Sequence, residues 1–585
     1  MAEEQFKRTQ ESQHILAPDQ NYKRWVVLNA MAILVGLLGS FASVGFYYAL
    51  EGMTYIVQNI LLPFVSIEIG PYNLGYIIIA VIGGCIVGFI TNKISNASKG
   101  SGIPEVIESA ALNRGRIKPK TPLIKTLVSV TTISTSSAGR EGPITLIGGG
   151  VGSFIGNKFN LKPQQIRLLI ASGVSATVAG TFNAPLGGAI FSLEVLFNGI
   201  GIFSSIPVFL SSVIGAVVAS NLVGTDELFA FAFAPELFNP SQYLLVALFG
   251  LIMGVIGFFW VFIFKFVANR FKLSKINAYL KPVLGAGLAG VLIMLNPNSG
   301  LLGTGYEGII KALNDEFVPW MMIILGLLKM LSTATTIGSG NSGGVFGPSL
   351  YIGCMFGGAI GYLYQLMFPG LVQNYKLYMV IGMAALFAAA AQSPINMSIM
   401  IPELTKDFWL IPSIMLACGM SFLISWILLK RSSIYTIKLE LKGLRFKVGS
   451  LFILQNMSIN ELIREPDIKI QKNTSVEEFW ELTKDYGLKN LPVMDGEDVV
   501  GIVSKSDCES IEKERRDNVT IGDVMSTNIA IIDQFAKIQD AVDKMIEYNT
   551  KALVIVEKND PKMVMGLIDV DDISVMFENL KYLLR

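Results

Sequence analysis

Long stretches of this chain contain no charged residue. The first runs from Trp25 to Leu50 and is longer than the ~20 apolar residues with which a helix crosses a ~30 Å hydrocarbon core. It therefore predicts a membrane-spanning helix. Further uncharged runs are Pro71–Asn92, Val195–Thr225, Pro282–Tyr306, Met330–Tyr375, Leu377–Pro402 and Trp409–Leu429. Several are too long for one crossing and contain Gly and Pro, so we expect them to hold more than one helix, or helices that stop inside the membrane.

The composition agrees with a polytopic α-helical protein of the lipid bilayer. Charged residues make up 16% of the chain and hydrophobic residues 52%, against about 25% charged in soluble domains. Residues 1–24 are polar and charged, which does not fit a cleavable signal. Basic residues mark the cytoplasmic side of a span, and Lys7, Arg8, Lys23 and Arg24 precede the first one. We expect cytoplasmic N- and C-termini in the plasma (inner) membrane.

The residues that usually hold metals are sparse. The four cysteines, Cys85, Cys354, Cys418 and Cys508, fall at no metal-like spacing, so we interpret them as free thiols. His14 is the single histidine, which excludes histidine-based metal centres and catalytic triads. We expect no metal, no required cofactor and no enzymatic activity.

The composition changes after Lys430, and residues 451–585 are rich in Lys, Asp and Glu. Two segments there, Asn490–Ile511 and Ala552–Met576, share an order of strand, turn, strand and acidic helix start. Together they resemble a CBS-domain pair, with copies at about 451–512 and 519–585 after a linker at 437–450.

The CBS resemblance implies a possible adenine nucleotide, with the ribose contacted by Ser504 and Asp507 in the first copy and by Asp572 in the second. The second copy departs from the pattern because Asp569 stands where Ser or Thr is commoner. An extra carboxylate there would repel a phosphate. A purely structural pair that binds no nucleotide stays open.

The membrane domain, residues 25–436, carries an internal repeat. A set of Gly and Pro residues recurs 205 positions later, as Gly139, Gly142, Pro143 and Gly148 become Gly344, Gly347, Pro348 and Gly353. A second set recurs 209 positions later, as Gly173, Ala176, Pro185 and Glu194 become Gly382, Ala385, Pro394 and Glu403. The segment GSG at 100–102 returns as GTG at 303–305. We predict two halves, at about 25–225 and 240–436, with a substrate site between them.

Three proline-containing motifs predict helices that begin at membrane depth. Proline is favoured at the first helical position, because its missing N–H would have no partner there. Helices are therefore expected to start near Pro104, Pro143 and Pro348. Each helix N-terminus carries about half a positive charge and unpaired N–H groups, so these ends attract anions.

The segment AGREGPIT, residues 138–145, places Arg140 beside Glu141 within an apolar region. Next to a helix start, the Glu141 carboxylate can occupy the anion position as a tethered anion, and protonation releases it. This interpretation makes Glu141 a proton-sensitive gate. A structural pair between Arg140 and Glu141, or a buried network around them, is the alternative from the motif alone.

Four motifs in order, GSGIPE (100–105), GREGP (139–143), NAPLGGAIFSLE (183–194) and GGVFGP (343–348), resemble the CLC family of chloride channels and chloride/proton antiporters. The resemblance covers nearly the whole chain. It implies a homodimer with one pore per subunit, two inverted halves, chloride as the transported ion and Glu141 as the gating glutamate that takes up protons. The predicted anion-binding residues are Ser101, Gly102, Ile103, Arg140, Gly142, Val345, Phe346, Gly347 and Tyr435.

One departure from the family pattern bears on mechanism. In the proton-coupled antiporters a second glutamate relays protons from the inner side, and Val195 stands at that position here. Valine carries no proton, so the resemblance favours passive, channel-like conduction. A chloride/proton antiporter with another proton route is the alternative. Ser101 favours chloride over nitrate, because nitrate-preferring members tend to carry proline at that place.

Other functional classes fit the sequence less well. A CBS-regulated cation transporter requires several carboxylates at mid-membrane, and Glu141 alone is clearly placed for that. The sequence contains no phosphate-binding GxxxxGK[ST] loop, which argues against an ATP-driven pump. We expect no nucleic-acid partner.

Overall fold

The structure is a computed structural model in which two compact units are separated between residues 449 and 450. The residues that it describes are 22–113, 115–196, 202–224, 229, 239–430, 432–441, 459, 470–483, 490–496, 498–508, 511, 515–527, 529–548, 550, 552–557, 564–569 and 572–573. The predicted segments 1–21 and 442–458 lie outside the described residues.

The first half of the membrane unit consists of eight main helices in the described residues. Their bounds are α1 Tyr22–Tyr55, α2 Gly75–Lys93, α3 Ile103–Leu112, α4 Lys120–Thr135, α5 Glu141–Lys158, α6 Pro163–Phe182, α7 Pro185–Phe191 and α8 Ile202–Val223. Helix α1 continues as a π-helix over Ile56–Leu61 and a short turn over Leu62–Phe64. A two-residue hairpin, β1 Glu68–Ile69 with β2 Tyr72–Asn73, leads into α2.

The second half repeats this series. Its helices are α9 Pro240–Leu273, α10 Leu280–Leu295, α11 Tyr306–Leu313, α12 Pro319–Gly338, α13 Phe346–Met367, α14 Lys376–Ala391, α15 Pro394–Thr405 and α16 Ile411–Leu429. Each helix from α1 to α8 therefore has a counterpart eight helices later in the element order. A short helix, α17 Ile437–Leu441, follows and occupies the beginning of the predicted linker.

Seven helices in the described residues are long and apolar enough to cross a membrane. They are Trp25–Phe64, Gly75–Lys93, Ser205–Val223, Pro240–Leu273, Pro319–Gly338, Phe346–Met367 and Phe408–Leu429. The uncharged run Met330–Tyr375 holds the end of α12 and all of α13, and Leu377–Pro402 holds most of α14 and α15. The expectation that such runs contain more than one helix is confirmed.

The helix starts predicted at the prolines are displaced by one or two residues. Helix α5 begins at Glu141 and α13 at Phe346, so Pro143 and Pro348 lie in the first turn, while Pro104 is the second residue of α3. Proline is tolerated throughout the first turn because those N–H groups have no intrahelical acceptor. As a result, Glu141 itself is the first residue of α5.

Glycine allows the helices within each half to pack closely. At Gly173 of α6 a side chain would collide with the Gly148 carbonyl of α5, and at Gly382 of α14 it would collide with the Gly353 carbonyl of α13. Small residues at such contacts let membrane helices approach backbone to backbone. The recurring glycines in the sequence therefore form equivalent helix–helix contacts, one in each half.

The C-terminal unit contains two three-stranded sheets of the same design. In the first, β3 Ile470–Gln471 pairs parallel with β4 Asn490–Asp495, which pairs antiparallel with β5 Asp498–Ser504. In the second, β6 Ile531–Asp533, β7 Ala552–Val556 and β8 Val564–Asp569 do the same. The helices described here are α18 Val476–Leu482, α19 Lys505–Cys508, α20 Ile521–Val524 and α21 Ile538–Glu547. This order confirms the predicted tandem repeat.

One buried apolar cluster joins the two sheets of the C-terminal unit. It contains Met494 and Ile502 from the first sheet and Ala552, Val554 and Val564 from the second. The two copies thus share a core and pack as a pair. The Cys508 thiol is also buried and free in this unit, and burial raises its pKa to about 11.

The close packing of α13 and α14 predicts the effect of a small substitution. In Gly382→Ala, the new Cβ would lie 2.5 Å from the Gly353 oxygen and 3.0 Å from the Gly357 Cα, and overpacking of this kind costs ~1–3 kcal/mol. We expect a lower apparent melting temperature in detergent. Gly419→Ala is the matched control, since a Cβ there meets nothing within 4 Å. Equal melting temperatures for the two variants would contradict this packing.

Candidate functional site

Two backbone hydrogen bonds join the halves at the starts of α5 and α13. The Gly139 N–H donates to the Gly344 oxygen at 2.7 Å, and the Gly344 N–H donates to the Gly139 oxygen at 2.6 Å. The exchange is reciprocal between equivalent residues, which is the arrangement that a local two-fold axis produces. Both broken helices therefore begin from one paired segment.

Two further loops extend this pairing on either side. Gly100 donates to Asn341 at 3.0 Å and accepts from Gly343 at 3.1 Å, while Gly303 donates to Ser136 at 2.8 Å and accepts from Ala138 at 3.2 Å. The segments GSG and GTG, similar in sequence, thus occupy equivalent places in the two halves. Gly102 and Gly305 end these segments with φ values of +97° and +96°, which glycine adopts without the steric cost of a Cβ.

Two buried lysines donate hydrogen bonds to the backbone of the same loops. Lys125 of α4 donates to the carbonyl oxygens of Ser98 (3.2 Å) and Gly100 (2.5 Å). Lys329 of α12 donates to those of Gly300, Leu301 and Gly303 at 2.9 to 3.0 Å. Both side chains are 0% exposed. Because a buried ammonium group requires acceptors, each lysine fixes the loop that precedes a broken helix, α3 in the first half and α11 in the second.

The Glu141 carboxylate lies between the two halves and is 1% exposed. Its Oε1 accepts hydrogen bonds from the Tyr306 hydroxyl at 2.8 Å and from the Gly347 N–H at 3.3 Å. Its Oε2 has no hydrogen-bond partner among the described residues, and it packs against the backbone of Gly139 and Gly344. The carboxylate thus sits at the N-terminus of α13, where the helix dipole favours a negative charge.

Arg140 is placed over aromatic rings. Its guanidinium carbon lies 5.2 Å from the ring centroids of both Phe182 and Tyr306, and Nη2 donates to the Thr181 oxygen at 3.4 Å. The ion pairs found among the described residues do not include one between Arg140 and Glu141. The structural alternative of a direct pair therefore does not hold.

Ser101 lines a cavity of about 330 Å³ that opens beside the first of the paired loops. Val345 lies on the same wall, and four lysines also line the cavity: Lys99, Lys272, Lys281 and Lys438. Gly142 is in direct contact with the Ser101 carbonyl, and Gly102 is the N-cap residue that precedes the buried Ile103. The cationic lining gives this approach to Ser101 a field that attracts anions.

The other predicted anion ligands lie along a row of aromatic rings. Phe346 contacts Phe182 and Phe387 with centroid distances of 5.3 and 4.7 Å, and Phe387 contacts Tyr435 at 6.2 Å. The Tyr435 side chain is 2% exposed, and its hydroxyl has no hydrogen-bond partner among the described residues. A buried hydroxyl without a protein acceptor is free to donate to an anion. The anion-binding roles of these residues stay predictions.

The position expected for an inner proton relay is apolar. Val195 lies in a π-helix over Ser192–Leu196 that continues α7. The neighbouring Glu194 accepts N–H bonds from Ile395 and Asn396 at the start of α15. In return, Glu403 of α15 accepts N–H bonds from Leu186 and Gly187 at the start of α7. These two matching glutamates cap each other's helix, and this exchange occupies the Glu194 carboxylate.

Glu105 takes part in a contact between α3 and α17. Its Oε1 forms an ion pair with Lys438, whose Nζ also donates to the Lys99 oxygen at 2.5 Å. Glu105 lies in the first turn of α3, where a carboxylate stabilises the helix N-terminus. Its partner Lys438, however, lies on a helix more than 300 residues later in the chain, so no local sequence pattern predicts this ion pair.

The nucleotide residues predicted in the C-terminal unit lie where a strand meets a helix. Asp507 accepts from both the N–H and the hydroxyl of Ser504, at 2.7 and 2.6 Å. In the second copy, Asp572 accepts from the Asp569 N–H at 3.1 Å, and Asp569 accepts from the Asp572 N–H at 2.7 Å. The second site thus presents two carboxylates where the first presents one carboxylate and a hydroxyl.

Sequence reasoning missed Tyr306 and Lys329. Both signals were present in the repeat, since GTGY at 303–306 aligns with GSGI at 100–103 and Lys329 follows Lys125 by 204 positions. The residue at the start of α11, Tyr306, supplies the shorter of the two hydrogen bonds to Oε1 of Glu141.

Comparison with known proteins identifies the two units. The family model of the voltage gated chloride channel matches residues 83–426, which is more than half of the chain. The CBS-domain model matches residues 459–510 and 521–577. Similar curated proteins include the voltage-gated ClC-type chloride channel ClcB of Salmonella typhimurium, 28% identical over 412 residues, and that of Escherichia coli, 29% identical over 414 residues. Each alignment covers 69% of this chain and 97% of the relative.

Solved structures share the fold. A slow cyanobacterial Cl⁻/H⁺ antiporter superposes with a TM-score of 0.62 at 24% identity, covering 71% of this chain and 97% of its own. A CLC-type fluoride/proton antiporter gives 0.62 at 21% identity, with 72% and 99% covered. A eukaryotic CLC transporter gives 0.63 at 18% identity, with 93% and 97% covered. From the family match, the repeated broken helices and the two CBS copies, the chain belongs to the CLC family of anion-transporting integral membrane proteins, with a pair of CBS domains at its C-terminal end.

Proposed function

We propose that this chain conducts chloride along a pathway between its two halves and that Glu141 gates the pathway. The observation that carries the proposal is the position of the Glu141 carboxylate at the N-terminus of α13, where it accepts the Gly347 N–H. A carboxylate at that place competes with a chloride ion for the same positive helix end. A proton that neutralises Glu141 removes the competitor and opens the path.

Apart from Arg140, the remaining groups along the pathway are neutral in this proposal. Ser101 and Tyr435 supply hydroxyl donors, and the backbone near Val345 and Phe346 supplies N–H groups. Gly102, Ile103, Arg140, Gly142 and Gly347 complete the surroundings. Neutral donors bind an anion weakly enough to let it leave, as conduction requires. The lysines around the cavity beside Ser101 raise the local anion concentration without contacting the ion at the centre.

Passive conduction is the transport mode that we favour. Val195 cannot carry a proton, and the adjacent Glu194 is already bound by two N–H groups of α15. Chloride/proton antiport is the second candidate, because two of the solved structures with this fold are described as proton-coupled antiporters. Their existence makes coupling through another proton route a specific competitor.

We further propose a homodimer in the plasma membrane with cytoplasmic termini. The resemblance to the CLC family implies one pore in each subunit of such a dimer. The basic residues before α1 favour a cytoplasmic N-terminus. The membrane protein requires no cofactor in this proposal and has no enzymatic role.

An adenine nucleotide at the CBS pair is proposed at the first copy. Ser504 and Asp507 offer a hydroxyl and a carboxylate for a ribose, while Asp569 and Asp572 of the second copy add negative charge. Two carboxylates repel a phosphate more strongly than one. The first copy is therefore the better nucleotide site.

Glu141→Gln tests the gate. The amide mimics the protonated carboxyl, so we expect chloride flux that no longer depends on pH, with the largest gain over the wild type at alkaline pH. The measurement is chloride efflux from proteoliposomes over a range of pH. Glu51→Gln, at an exposed position of α1, is the matched control and should keep the wild-type profile. A Glu141→Gln profile that follows the wild type would remove Glu141 from the gate.

Paired chloride and proton fluxes distinguish the two transport modes. For passive conduction, we expect chloride efflux to set a membrane potential without driving protons against their gradient. The measurement uses chloride-loaded proteoliposomes, with and without a proton ionophore. Proton uptake against the proton gradient, driven by the chloride gradient, would establish antiport. Ion flux should stop when an impermeant anion replaces chloride, and flux that persists under that condition would indicate a cation transporter.

Nucleotide binding is tested on the purified full-length chain. We expect a fluorescent ATP analogue to bind, Asp507→Ala to weaken binding at least tenfold and Asp572→Ala to leave it nearly unchanged. The reason is that the ribose contact is assigned to the first copy. Loss of binding in Asp572→Ala alone would assign the site to the second copy, and no binding at millimolar nucleotide would favour a structural pair.

A further inference from the structure

We propose that Tyr306 is a latch on the gate: its hydroxyl holds the Glu141 carboxylate in the closed position and thereby sets the pH at which the gate opens. The inference rests on the proposed gating role of Glu141. It adds a positioning residue to that gate, contributed by the second half of the chain.

The first argument is the convergence of groups at one oxygen. The Tyr306 hydroxyl and the Gly347 N–H both donate to Oε1 of Glu141. The hydroxyl also packs on the start of α13, because a Cβ at Gly347 would lie 3.2 Å from it. The carboxylate cannot leave the helix end without breaking the Tyr306 bond. A hydrogen bond to a charged acceptor is stronger than one between neutral groups, so the latch favours the charged, closed form.

The second argument is that the tyrosine is held rigidly. Its ring lies between the Arg140 guanidinium, 5.2 Å away, and Phe229, with a centroid distance of 5.7 Å. Its backbone follows Gly305 at the start of α11. The loop before it is fixed by Lys329 through the oxygens of Gly300, Leu301 and Gly303. A side chain with this support loses little entropy when its hydroxyl binds Glu141.

The third argument comes from the repeat. Ile103 occupies the place of Tyr306 in the first half, at the start of α3. Isoleucine has no hydrogen-bond donor in its side chain, so the first half offers no equivalent latch. The backbone frame is nearly symmetric, whereas the side-chain hydrogen bond that Glu141 accepts among the described residues comes from the second half.

Few ionisable groups among the described residues interact with Glu141. The ionisable groups that interact with Glu141 are Arg140 at the N-cap of α5, Tyr306 of α11 and Tyr435 before α17. Arg140 favours the charged gate through its net charge. Tyr306 is the member of this set whose hydroxyl donates a hydrogen bond directly to the carboxylate. Removal of that hydroxyl should therefore destabilise the deprotonated form of Glu141.

The test is Tyr306→Phe in the full-length protein, reconstituted in proteoliposomes. Phenylalanine keeps the ring contacts with Arg140 and Phe229 and removes the donor. Since the donor stabilises the deprotonated gate, we expect the midpoint of acid activation to move upward by about one pH unit, which corresponds to roughly tenfold in the protonation equilibrium. Chloride flux on the alkaline side should rise accordingly. Tyr378→Phe, a change at a buried tyrosine of α14 that packs edge-to-face against Phe249, should leave the midpoint unchanged.

The double variant Glu141→Gln with Tyr306→Phe separates the latch from a packing effect. We expect it to match Glu141→Gln alone, because no charged gate remains to be held. An unchanged midpoint in Tyr306→Phe, with Glu141→Gln still pH-independent, would refute the latch and leave the gate intact. A similar change of flux in both backgrounds would show that Tyr306 acts on the pore itself and would also refute the latch. A pH-dependent Glu141→Gln would instead refute the gate.

Discussion

The reciprocal hydrogen bonds between Gly139 and Gly344 are the constraint on which the membrane unit depends. Within a bilayer, unpaired N–H and C=O groups cost several kcal/mol each, so irregular backbone survives only where it is paired or lines a cavity. Four interrupted segments meet here and satisfy one another. The helices α3, α5, α11 and α13 therefore begin beside this paired segment.

Buried charges complete this frame. Lys125 and Lys329 donate hydrogen bonds to carbonyl oxygens of the loops. Glu194 and Glu403 each accept N–H groups at the start of a helix in the opposite half. These charges have specific backbone partners, which makes their burial tolerable. Glu141 differs from them because one of its oxygens has no hydrogen-bond partner among the described residues. A buried carboxylate that is only half satisfied is suited to change its protonation and its position.

The C-terminal unit is also built from a repeat, and its two copies differ at the residues predicted to bind a nucleotide. Two copies of one strand order share an apolar core, while the residues at the ends of their last strands have diverged. Ser504 and Asp569 stand at equivalent places, and a hydroxyl in one copy is a carboxylate in the other. Symmetric packing therefore coexists with chemically unequal sites, as it does around Glu141.

The sequence alone determined the membrane class, the CBS pair and the recurring glycine and proline positions. Apolar length, glycine recurrence and motif order are local or periodic, so they can be read along the chain. Tertiary structure decided which groups touch Glu141. The Tyr306 hydroxyl and the Gly347 N–H come from residues 165 and 206 positions away from Glu141. Lys329, which bonds the loop before Tyr306, lies on a separate helix. Such contacts depend on how the halves pair in space, which no local pattern specifies.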